Sequence, residues 1–134
     1  MSLSVLCVID FSKSSKNALQ WAINNASTYR SHLTVLYPYR LTHVQYGQSI
    51  MAVRKKIEDE ANKNFELLEK DLLLDKQISY DFQTEVGFIA DRVEEYAKTH
   101  SINFLVVDKN IRTTNKESFD DLLAATQVPL VIIP

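Results

Sequence analysis

The apolar residues of this chain fall into two recurring patterns. Ser4 to Ile9, Leu33 to Tyr37, Phe104 to Val107 and Leu130 to Ile133 are short, nearly continuous apolar runs. The first three read as strands buried on both faces, and Leu130 to Ile133 reads as a final strand. A fifth run differs: Ile78, Tyr80, Phe82, Thr84 and Val86 alternate with polar residues, the pattern of a half-exposed strand at a sheet edge. Between the runs the spacing changes to three and four. Ala18, Ala22 and Ala26 beside Leu19 and Ile23 mark a helix whose small face can sit close to a sheet. Ile50, Val53, Ile57, Ala61, Phe65, Leu68 and Leu72 form a longer stripe, opposite a solvated face of Arg54, Lys55, Glu58, Asp59, Lys63 and Glu66. Ile89, Val93, Tyr96 and Ala97 give a third helix, and Phe119, Leu122 and Leu123 a short fourth.

Punctuation between these elements agrees with the pattern. Ser12, Ser14 and Ser15 offer caps for the first helix, and Ser118 or Asn115 for the last. Pro38 is expected to stop the second strand, Tyr39 to Gln48 to form a loop, and Gly87 to close the alternating strand. Strict alternation of strand and helix predicts one α/β domain over residues 1–134. Its five-stranded parallel sheet is doubly wound and Rossmann-like, with helices on both faces.

Composition narrows the function. A net charge of −2 gives no reason to expect nucleic acid or anionic lipid as a partner. No apolar run approaches membrane-spanning length, and the N-terminus lacks a signal-peptide pattern. The single Cys7 excludes an intrachain disulfide and reads as a buried, inert thiol. These features predict a cytoplasmic protein. His32, His43 and His100 are far apart; His32 and His100 are expected as exposed turn residues. His43 falls with Tyr39, Arg40 and Tyr46 in the long loop, where the group either grips a ligand or packs on its own scaffold. Trp21 is expected as partly buried packing, and Lys55 and Lys56 as solubility charges. No metal-ligand spacing and no nucleophile–base pair emerges, so neither a metal nor a catalytic residue is expected.

The turn after Val107 carries the most information. In a parallel α/β fold a nucleotide's phosphates would lie there, and a phosphate cradle needs glycine so that backbone N–H groups can approach the anion. Asp108 to Lys116 contains none; the only glycines are Gly47 and Gly87. Asp10, which ends the first strand, either caps backbone N–H groups or hydrogen-bonds the polar edge of a ligand. Paired with Asp108 it could hold a hard cation such as Mg²⁺, although neutralisation by Lys13 or Lys109 is the simpler outcome.

Val5-Leu6-Cys7-Val8-Ile9-Asp10-Phe11-Ser12, followed by Ser15-Lys16-Asn17-Ala18-Leu19, resembles the opening of the universal stress protein (UspA-like) domain. Leu33-Thr34-Val35-Leu36-Tyr37 is similar to its second strand. Gly87-Phe88-Ile89-Ala90 leading into Ile102 to Val107 resembles its third helix and fourth strand, and Val128 to Ile133 its closing strand. The resemblance implies sheet order 3-2-1-4-5 and a crevice between the carboxyl ends of strands one and four, with Asp10 and Asp108 at its mouth. Relatives that bind ATP carry G-x2-G-x9-G-[ST] after the fourth strand. Asp108 and Ile111 stand at the first two glycines, and Ser118 at the final position after a shorter segment.

The resemblance therefore implies a divergent member: a non-enzymatic stress-response or signalling protein that does not stably bind ATP and acts as a homodimer through protein contacts. Its last strand, Leu130, Val131, Ile132 and Ile133, is the expected dimer edge. The alternative is a nucleotide- or small-molecule-binding module, or a weak ATP hydrolase. It would use Asp10, Phe11, Asp108, Lys109, Arg112 and Ser118, with Lys109, Arg112 and Lys116 replacing glycine amides at the phosphates.

Overall fold

The computed structural model describes residues 3–42, 44–111 and 119–134. His43, Arg112, Asn115, Lys116 and Ser118 lie outside the described residues. The elements are β1 (Ser4–Val8), α1 (Lys13–Tyr29), β2 (His32–Tyr39), α2 (Ile50–Leu68), β3 (Ser79–Val86), α3 (Ile89–Thr99), β4 (Phe104–Asp108), α4 (Phe119–Thr126) and β5 (Leu130–Ile133). The strands form one sheet in the order β3-β2-β1-β4-β5, and every neighbouring pair is parallel. The fold class and strand order are those expected from the sequence.

Because successive strand residues point to opposite faces, each buried strand feeds two cores. Val5, Cys7 and Ile9 of β1 and its turn, with Leu33 and Val35 of β2, meet Ala18, Leu19, Ala22, Ile23 and Ala26 of α1. Leu6, Val8, Leu36, Leu105 and Val107 point the other way, onto Ile89, Ala90 and Val93 of α3 and Leu122 of α4. This double burial explains why the central strands are continuously apolar and β3, at the edge, is not. Trp21 packs beside α1's alanine ridge with its ring edge-on to Phe104, 6.2 Å between centroids.

Two element boundaries differ from the pattern-based expectation. β2 does not stop at Pro38; it continues to Tyr39, paired with Val86 of β3. Tyr39 O accepts the Gly87 N–H at 2.8 Å and Leu36 O accepts the Ile9 N–H at 2.9 Å. Residues of a parallel strand alternate their backbone groups between neighbours, so Pro38 faces the β1 side just beyond the last β1 bond. Its missing N–H therefore breaks no ladder.

The long stripe of α2 is buried only in its second half. Ala61 and Phe65 are buried, and Phe65 stacks on Phe82 at 4.3 Å, while Ile50 remains 57% exposed. The sheet ends where the Tyr39 hydroxyl donates to Glu58, and the helix before Glu58 runs past it. After Leu68 the helix widens into a π-helical turn, Glu69–Leu73. The extra residue places Leu73 in the core and leaves Leu72 half-buried.

Candidate functional site

The ends of β1 and β4 lie side by side at the carboxyl edge of the sheet, where the strand order reverses. The turn leaving β1 is built by its own polar side chains. Asp10 Oδ1 accepts the Ser12 N–H at 2.9 Å, and Ser15 Oγ accepts the Asp10 N–H at 3.0 Å. Ser12 Oγ then caps α1 by accepting the Ser15 N–H at 3.1 Å. The capping role foreseen for Asp10 is present, and the half-buried residue sits at the crevice edge.

Phe11 bridges this turn in the left-handed region, with φ of 64°, an arrangement that costs a bulky residue roughly 1–3 kcal/mol. Ring packing offsets it. Phe11 lies 4.9 Å from Tyr37 and 6.1 Å from Phe82, and Tyr37 stacks on Tyr39 at 5.9 Å. Burial, and then the negative charges of Asp10 and Glu60, push the Tyr37 hydroxyl above its ordinary value, so it stays a neutral group beside the turn. Behind Phe11 a cavity of about 110 Å³ is lined by Ile9, Leu19 and Leu68 with Lys13 and Lys16. It is well below the ~300 Å³ at which small-molecule pockets begin.

The turn leaving β4 is closed differently. Asp108 is 1% exposed. Its Oδ2 accepts the Asn110 N–H at 2.9 Å, while Oδ1 is buried without a hydrogen-bond partner among the described residues. The Lys109 N–H is engaged by Ile133 O at 2.9 Å. Ile111 is fully buried among the side chains of the α3 and α4 core. Two backbone N–H groups at the start of this turn are therefore already occupied. Burial, and then the charge of Asp108, push the Cys7 thiol well above its ordinary value, which makes it the inert core thiol expected.

The structure thus brings Asp10, Phe11, Asp108 and Lys109 to one edge, with Asp108 inside the protein and not at an open mouth. Among the described residues neither Lys13 nor Lys109 forms an ion pair with Asp108; the Asn110 N–H holds it. No group of three or more histidine, cysteine or acidic side chains placed to hold a metal occurs among the described residues. The loop cluster is divided. Tyr39 is buried, Arg40 lies over the Phe88 ring at 4.2 Å, and Tyr46 is exposed.

The profile of the universal stress protein family matches residues 1–134. The chain belongs to the universal stress protein family. Universal stress protein UspA from Lactobacillus plantarum superposes with a TM-score of 0.76 at 17% identity, covering 98% of this chain and 97% of that one. A universal stress protein described in complex with cAMP gives 0.64 at 19% identity, over 98% and 96%. The universal stress protein from Archaeoglobus fulgidus, described in complex with dAMP, gives 0.66 at 11%, over 100% and 98%. At these identities the likenesses speak for the fold. No curated protein matches the sequence, and among the described residues no helix is long and apolar enough to cross a membrane.

This universal stress protein also carries a polar cluster that the sequence reading missed. His32 is not an exposed turn residue. It opens β2 opposite Ser79 of β3, with Thr34 opposite Asp81. His32 Nδ1 lies 2.6 Å from Ser79 Oγ, and Nε2 lies 2.7 Å from Asp81 Oδ1. Thr34 Oγ1 donates to the same Oδ1 at 2.9 Å and lies 2.9 Å from the Tyr96 hydroxyl. Gln83 Nε2 donates to Asp81 Oδ2 at 2.8 Å. Desolvation raises the Asp81 pKa, but the bonds from His32, Thr34 and Gln83 outweigh it, and the carboxyl ends below its ordinary value. His100, at the end of α3, is exposed as expected and stacks on Tyr96 at 4.0 Å. Sequence spacing gives no signal for this cluster, because it depends on the register of β2 against β3.

Proposed function

We propose that this universal stress protein acts through protein contacts as a homodimer and does not hold ATP stably in its crevice. The observation that carries this reading is the closure of the β4 turn. A phosphate needs free backbone N–H groups; here Asp108 engages the Asn110 N–H and β5 engages the Lys109 N–H. The Asp108 carboxylate also repels an anion, and Ile111 fills core space at the position of the second glycine in nucleotide-binding relatives.

The dimer part rests on β5. It is an outer strand of the sheet, short and wholly apolar, with Ile132 41% exposed. The opposite edge, β3, carries Asp81 and Glu85, charges of the kind that discourage edge pairing. Two-fold pairing through Leu130 to Ile133 closes the two β5 edges on each other and leaves the charge-bearing β3 edges outermost.

The alternative is a nucleotide-binding module. It is favoured by the two relatives described in complex with cAMP and dAMP and by the aromatic rings of Phe11 and Tyr37 beside Asp10. Native mass spectrometry of the purified protein separates the readings. A ligand-free dimer that becomes monomeric on Ile132→Asp supports the first. Micromolar ATP binding that weakens on Asp10→Ala overturns its no-nucleotide part and supports the second.

A further inference from the structure

The cluster around His32 lies at the amino end of the sheet, on the face that carries α3. β3 separates it from the crevice edge by eight residues, roughly 23 Å at a strand's rise. Chemistry fixes the direction of its hydrogen bonds. An ionised Asp81 only accepts, so the hydrogen between Asp81 Oδ1 and His32 Nε2, 2.7 Å apart, belongs to the imidazole. In its neutral form the ring presents its lone pair at Nδ1, 2.6 Å from Ser79 Oγ, and the serine hydroxyl donates to it. Thr34 and Gln83 hold the carboxylate from two further directions. A hydroxyl, a base within hydrogen-bond reach and a third group orienting that base form the signature of an activated nucleophile. Ser79 is exposed, and the His32 and Asp81 side chains each keep 38% of their area open, so a reagent reaches the hydroxyl from solvent.

We propose that Ser79 is a nucleophile activated by His32 and that this site cleaves activated acyl esters, such as aryl esters of short carboxylic acids. Ser79 Oγ attacks the acyl carbonyl carbon and its proton passes to His32 Nδ1. The carbon–oxygen bond to the aryl oxygen breaks, and that oxygen leaves with the proton from Nδ1. Water then attacks the serine ester with the same base. This releases the carboxylic acid and restores the Ser79 hydroxyl, with no change in oxidation state. Asp81 is a positioning residue: it sets the tautomer of His32 and stabilises the imidazolium. The solvent-open setting restricts the chemistry to acyl groups whose leaving group departs readily.

The test uses the full chain with p-nitrophenyl acetate and a fluorophosphonate probe, the adduct located by peptide mass spectrometry. The expected result is an adduct on Ser79 and ester hydrolysis that disappears in Ser79→Ala. Loss of the general base in His32→Gln should slow labelling about 100-fold. Asp81→Asn should slow labelling and move the midpoint of its pH profile downward, because the imidazolium loses its counter-charge; a merely structural role leaves that midpoint in place. Among the described residues Tyr96 and His100, from α3, are further titratable groups at the cluster, and Tyr96→Phe with His100→Gln serves as the control that keeps the midpoint. Should His32→Gln fail to fold, Ser79→Cys gives a second measurement: its thiol should react with iodoacetamide at pH 7 at least tenfold faster than that of Ser101→Cys, at an exposed position. A thiol in Ser79→Cys that reacts no faster than the one in Ser101→Cys, or hydrolysis unchanged in Ser79→Ala, overturns the proposal.

Discussion

Ile111→Gly places a glycine at the position that the family resemblance assigns to the second glycine of the ATP motif, and the structure says that it will unsettle the fold. The Ile111 side chain is fully buried in the core formed with Leu6, Val8, Leu105, Val107 and Leu122. Truncating a buried isoleucine to a methyl group costs about 2–5 kcal/mol, from lost transfer energy and the cavity left behind. Glycine adds about 0.5–1 kcal/mol of backbone freedom in the unfolded chain. The sum, roughly 2.5–6 kcal/mol, is a large part of the ~5–15 kcal/mol that stabilises a typical domain. In equilibrium urea unfolding, with a slope of about 1.5 kcal/mol/M, the midpoint should fall by about 2 M or more. Leu123→Ala, at a position 48% exposed, serves as the surface control and should change stability by less than about 1 kcal/mol. A loss below about 1 kcal/mol for Ile111→Gly would show that the residue does not anchor the turn, and the argument that this turn has exchanged a phosphate cradle for core packing would fail. ATP titration of the same variant provides a second readout. Glycine at 111 alone should not create tight binding, because Asp108 still engages the Asn110 N–H.

Two further outcomes follow from the local geometry. Ser12→Ala removes the cap of α1, which accepts the Ser15 N–H at 3.1 Å, and should cost about 1 kcal/mol, with Ser12→Gly costing only a few tenths; urea midpoints measure both. Asp81 has a folded pKa lowered from its ordinary 3.8, so above pH ~4 its hydrogen-bonded carboxylate contributes stability. As pH falls through 3.8 the unfolded chain takes up the proton first, and that contribution is lost by the time the folded pKa is passed. Thermal unfolding between pH 5 and 2.5 should therefore show a shallower loss of stability in Asp81→Asn than in the parent chain; an equal slope refutes the assignment.

The sequence alone was enough to specify the α/β class, because double burial writes itself into the chain as continuous apolar runs and edge exposure as alternation at Tyr80, Phe82 and Thr84. The serine cap of α1 and the core role of Cys7 were legible for the same local reason. The absence of glycine from the turn after Val107 was legible too, but not what fills that turn: only the tertiary structure shows Asp108 closed on the Asn110 N–H and Ile111 inside the second core. Pro38 was misread because its effect depends on which neighbour its missing N–H would have faced. The half-buried stripe of α2 was misread because periodicity records a face and not where the sheet beneath it ends. The Ser79–His32–Asp81 cluster was invisible for a related reason. Its members are brought together by the register of two parallel strands joined through a long helix, and register is settled by the packing of the whole domain, not by any local run of residues.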